Sequence, residues 1–90
     1  MLEQTTTYNG WSNRETWLAS LWLTNDQVSY AVLLEAQRAG DSDFARADWL
    51  EQQLREQLAE EAGDACMWSD LLNTAFHRIN WVEVIENNRD

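Results

Sequence analysis

The sequence predicts an all-α domain, a small bundle of about five helices. Apolar residues recur at helical spacing, capping residues punctuate the chain, and no proline interrupts it. Ninety residues make one domain with a modest core, here residues 1–90 as a single unit. Six tryptophans, each able to bury about 150–250 Å², predict that this core is Trp-rich.

Residues 1–11 have no helical period and read as an irregular segment, with Asn9-Gly10 as a turn. Ser12-Asn13-Arg14-Glu15 has the form of a capping box, so the first helix begins there and runs to about Leu23. Trp17, Leu18, Leu21 and Trp22 share one of its faces and are expected in the core. Thr24-Asn25-Asp26-Gln27 has the same form and opens a second helix almost without a loop. That helix runs to Arg38 or Ala39, with Gly40 as a left-handed stop. Its apolar residues, from Val28 through Leu34, cover nearly the whole circumference, which predicts a central position or a dimer seam.

Asp41-Ser42-Asp43 opens a third helix that ends at Gly63, with Ala47, Leu50, Leu54 and Leu58 as its buried stripe. A fourth helix is expected from Met67 to Arg78, with Leu71, Leu72, Ala75, Phe76 and Ile79 as its apolar positions. Asn80-Trp81-Val82-Glu83 caps a short fifth helix to about Asn87, and residues 88–90 are expected to fray.

Sixteen acids face six bases, giving a net charge of -10, and every base is arginine. Such a chain repels nucleic acid and anionic membranes, so the partner it suits is the basic surface of a protein. The same charge opposes self-association and favours a monomer, with a dimer through the second helix as the alternative. Met1-Leu2-Glu3-Gln4-Thr5 lacks a basic region followed by an apolar stretch, so no signal peptide is expected; no run is apolar enough to span a membrane. A cytoplasmic setting follows as the expectation, and the single cysteine, Cys66, fits it.

Little in the chain points to chemistry. Cys66 and His77 are each the only residue of their kind and form no metal-binding spacing; no cofactor motif is present. The expectation is a non-enzyme without metal or cofactor. The charge distribution is more informative. Residues 41–70 hold nine acids against Arg46 and Arg55, a net of -7. Asp48, Glu56 and Glu60 fall on one side of the third helix. Glu56 and Glu60 are four residues apart, roughly 5–6 Å between Cβ atoms, where like charges destabilise a helix slightly. The expected partner-binding surface is this acidic region: Asp41, Asp43, Asp48, Glu51, Glu56, Glu60, Glu61 and Asp64, with Trp49 beside it. One reading is a solvated helix face. The sharper one is a row of carboxylates that imitates nucleic-acid phosphates.

The segment "NGWSNRETWLASLWLTND" resembles the opening of a group of small phage, plasmid and mobile-element proteins. These begin Asn-Gly-Trp-x-Asn-x-Glu-Thr-Trp and continue into Leu-Trp-Leu-x-Asn-Asp. Asn9, Gly10, Trp11, Asn13, Glu15, Thr16 and Trp17 fit the first part; Leu21, Trp22, Leu23, Asn25 and Asp26 fit the second. "INWVE", Ile79 to Glu83, resembles the closing helix of the group. The resemblance implies a mobile-element origin more than an activity. Joined to the acidity, it leads to the expectation of an inhibitor of a host defence nucleoprotein, a CRISPR effector or restriction enzyme, acting as a nucleic-acid mimic. The alternative is a Trp-rich helical adaptor or dimerising regulator that works through protein–protein contacts.

Overall fold

A computed structural model describes residues 10–63 and 66–89. Its five elements are all helices: α1 (Arg14–Asn25), α2 (Gln27–Gln37), α3 (Asp43–Ala62), α4 (Met67–Arg78) and α5 (Trp81–Asn87). The predicted all-α bundle is therefore the observed one.

Caps explain most boundaries. Asn13, not Ser12, caps α1, its Oδ1 accepting from the Thr16 amide at 2.8 Å. Asp26 alone separates α1 from α2 and accepts from the amide and the hydroxyl of Ser29. Ser42 caps α3, and Gly63 ends it with φ 69°. Asn80 caps α5 by accepting from the Glu83 amide at 3.1 Å. Gly40 is not the left-handed stop expected of it. A side chain there would meet the Ala45 Cβ at 2.5 Å, so glycine is needed to let the α2–α3 connection lie against the first turn of α3.

The body measures 37 × 36 × 23 Å. Its thin dimension is about two helix diameters, so every helix keeps a solvent face. The core joins Leu23 of α1, Leu33 and Ala36 of α2, Ala47 and Leu50 of α3, Phe76 of α4, and Trp81, Val84 and Ile85 of α5. The predicted α3 stripe holds, with Leu54 and Leu58 packed against this cluster. The central helix is α5, which packs against α3 and α1.

Several expectations are corrected. Trp81 is the one tryptophan in the buried core among the described residues; Trp49 packs against its edge, while Trp22 and Trp68 are 64% and 66% exposed. The core is thus mainly aliphatic around one indole and the Phe76 ring packed on it. The buried face of α1 is Thr16, Ser20 and Leu23, and the expected Leu18, Leu21 and Trp22 stripe faces out. Small hydroxyl residues bring α1 close to α5, and their hydroxyls are satisfied there. Thr16 Oγ1 donates to Asn13 and accepts from the Asn80 amide at 2.8 Å, and Ser20 Oγ accepts from the Asn88 side chain at 3.0 Å. The second helix is peripheral, burying only Leu33 and Ala36, with Val28, Tyr30 and Leu34 exposed. On α4 only Phe76 of the expected apolar set is buried; Leu71 and Leu72 are exposed. Of the tail 88–90, Asn88 bonds Ser20 and Arg89 makes a two-oxygen pair with Asp43 at 2.6 Å, while Asp90 lies outside the described residues.

Candidate functional site

The start of α1 and the α4–α5 junction meet in space. Ser12 donates from its amide and its hydroxyl to the Glu83 carboxylate, at 3.1–3.2 Å and 2.6 Å. Asn13 donates its side-chain amide to the Arg78 carbonyl at 2.7 Å, and Glu15 pairs with the Arg78 guanidinium at 3.2 Å. With the Thr16–Asn80 bond, these contacts lock the start of α1 onto the α4–α5 junction. Asn13, Glu15, Thr16 and Glu83 therefore have structural work, and Asp26 caps α2. Their spacing is explained without any chemistry.

Trp22 has no such structural role. It lines an open groove with Leu18 and Ala19 of α1, Ala75 of α4 and Ile79 just after α4, a space of about 250 Å³. Trp68, Leu72, Ala75 and Ile79 follow one another at helical spacing, so Trp68 and Leu72 continue the α4 wall toward its N-terminus. All three of Trp22, Trp68 and Leu72 are exposed. Periodicity finds these residues but assigns α1 the wrong inward face. Hydropathy favours the large apolar stripe, whereas close packing favours Thr16 and Ser20.

The acidic residues do not form one surface. Asp41 is exposed before α3 begins. Asp43 is half-buried and occupied by Arg89, with Arg46 at 3.5 Å. Glu51 pairs with Arg55, whose guanidinium also sits 5.4 Å over the Phe76 ring. Asp48 accepts from Gln52 at 3.0 Å. Glu56, Glu60 and Glu61 are exposed and join no ion pair among the described residues. Asp64 lies outside the described residues. Helical rotation, about 100° per residue, keeps Asp48, Glu56 and Glu60 within about 120° of arc but turns Glu51 and Glu61 about 140° away from Glu56. What remains is three carboxylates over about 18 Å. One DNA strand would place a phosphate about every 3.4 Å.

Residues 4–88 match a family described as a family of unknown function, DUF7249. The chain belongs to this family. Neither a curated protein nor a solved structure matches it. In this DUF7249 chain Cys66 and His77 lie toward opposite ends of α4, roughly 16 Å apart by helical rise, too far for a nucleophile–base pair. The exposed Cys66 thiol is held below its ordinary pKa, chiefly by the backbone amide of Ser69 and then by that of Trp68. His77 Nδ1 lies 2.7 Å from the Asn73 carbonyl one turn earlier in α4. No His/Cys/Asp/Glu group able to hold a metal occurs among the described residues, and no described helix is long and apolar enough to cross a membrane.

Proposed function

We propose that this chain is a non-catalytic binding protein that seats an amphipathic, basic segment of a partner protein in the α1–α4 groove. The groove carries the reading. Its lining is apolar apart from Glu15 at the edge and includes the largely exposed Trp22; the equally exposed Trp68 lies on α4 seven residues before Ala75, about 10 Å along the helix. Tryptophan is enriched among residues that dominate binding energy, and a groove between two helices suits a helical ligand with anchors three and four residues apart. Net charge -10 selects a basic partner and disfavours a second copy. Affinity capture from a host lysate tests this. The parent should retain a basic protein that Trp22→Ser and Trp68→Ser both lose while remaining folded. Equal retention by all three would refute the groove.

The exposed, unpaired carboxylates of Glu56 and Glu60 favour a second reading. A small acidic mobile-element protein would inhibit a CRISPR effector or restriction enzyme by occupying its nucleic-acid groove. Their density is low for phosphate mimicry, so in this reading α3 supplies steering and part of the contact. Replacing Glu56, Glu60 and Glu61 with Gln should then weaken capture and flatten its salt dependence, and nucleic acid should compete. Undiminished capture by that triple variant, or simultaneous binding of nucleic acid, would leave the groove as the sole contact.

A further inference from the structure

Three of the six arginines, Arg38, Arg46 and Arg89, line one cleft of about 410 Å³ on the edge of the bundle where α2, the start of α3 and the end of α5 meet. We infer that this cleft is an anion site for a small phosphate ester with a flat apolar part, of the mononucleotide class.

The arginines come from distant parts of the sequence, yet the fold gathers them. Arg46 is held by the Gly40 carbonyl at 3.0 Å and by Asp43. Arg89 is held by both oxygens of the same Asp43. One carboxylate thus serves two guanidinium groups. The Nη2 atoms of both, and the whole Arg38 guanidinium, have no partner among the described residues. The cleft lining thus holds three arginines and no acid inside a chain of net -10; Glu35, Asp41, Asp43 and Asp48, near them in sequence, lie outside that lining.

The end of α5 is docked by Arg89 on Asp43, Asn88 on Ser20 and Gln37 on the Ile85 carbonyl, and none of these contacts accounts for Arg38 facing the same space as Arg46 and Arg89. Arginine forks match phosphate oxygens with two parallel hydrogen bonds, which lysine does not. The opposite wall is α2, where Tyr30, Leu33, Leu34 and Gln37 share a face at spacings of three and four. Leu33 is buried at the base; Tyr30 and Leu34 remain exposed and give a planar group a surface to stack on. The volume lies within the range of small-ligand clefts, about 300–1,000 Å³. The site is separate from the α1–α4 groove, so its test does not depend on the proposed partner.

Titrating the isotope-labelled protein with adenosine monophosphate, with adenosine and inorganic phosphate as separate probes, tests the inference by amide chemical shifts. Saturable binding at millimolar concentration should shift Tyr30, Leu34 and Arg38. Arg38→Gln, an exposed replacement with no partner to disturb, should weaken binding about tenfold or more. Arg14→Gln removes the same charge elsewhere and should leave it unchanged. No saturable binding by the parent would overturn the site. Equal weakening by both variants would overturn it in favour of diffuse attraction. Phosphate or adenosine alone binding as tightly as the nucleotide would overturn the mononucleotide class.

Discussion

Thr16→Val replaces a buried hydroxyl with a methyl of similar size and tests how α1 is held to α5. Thr16 is fully buried, and its Oγ1 both donates to Asn13 Oδ1 at 2.7 Å and accepts from the Asn80 amide at 2.8 Å. The variant leaves that amide without its acceptor, at about 1–3 kcal/mol, and deletes a second hydrogen bond of about 1 kcal/mol. The Asn13 cap survives through the Thr16 amide, and the extra methyl returns about 0.8 kcal/mol. The net loss is about 1–3 kcal/mol, or roughly 5–20 °C in melting temperature for a domain of this size. Thr16→Ser keeps both bonds and removes one buried methyl, costing about 1 kcal/mol. Urea unfolding followed by circular dichroism should therefore rank the parent first, serine second and valine last. Hydrogen exchange at the Asn80 amide should accelerate in the valine variant alone. A valine variant as stable as the parent, or an Asn80 amide equally protected in both variants, would refute the assignment of the hydroxyl as the latch.

The two classes of tryptophan should separate cleanly in stability. Trp81→Ala should cost about 3–5 kcal/mol, while Trp22→Ala should stay within about 0.5 kcal/mol, and similar losses at both sites would mean that the groove belongs to the core. Asp26 gives a pH dependence. Its carboxyl is held below its ordinary value of 3.8, first by the Ser29 amide and then by the Ser29 hydroxyl. Its contribution is therefore fully present above that value and is lost as pH falls through the lower folded value. Asp26→Asn should reduce the acid-side slope of stability between those two values, and an unchanged acid limb would remove Asp26 as a contributor.

Local chemistry was legible and long-range chemistry was not. Asn80, Gly63 and the loopless α1–α2 junction could be read because each signal lies within a few residues of the boundary it sets. The α3 stripe could be read because nothing competes with Ala47, Leu50, Leu54 and Leu58 for the inward face. On α1 two faces compete. The choice is made by Asn80 and Asn88, which lie 64 and 68 positions from the hydroxyls they satisfy. Of the acidic surface, helical spacing correctly grouped Asp48, Glu56 and Glu60. It gave no warning that Arg89 reaches back 46 positions to take Asp43 out of that surface. The arginine cleft left only one trace in the sequence, the scarcity of cations, which makes any gathering of three of them informative.

The placement of α5 also bears on synthesis. Seven residues form no stable helix in isolation, yet this segment supplies Trp81, Val84 and Ile85 to the core and is joined to α1 at Ser12, Thr16 and Ser20. A nascent chain that has emerged only through α4 has four helices with no keystone, and Leu23, Leu50 and Phe76 have lost the neighbours that cover them. The shared core of the other helices is therefore completed only by the docking of α5 between α1 and α3, so the shortest helix is the one on which the packing of the rest depends.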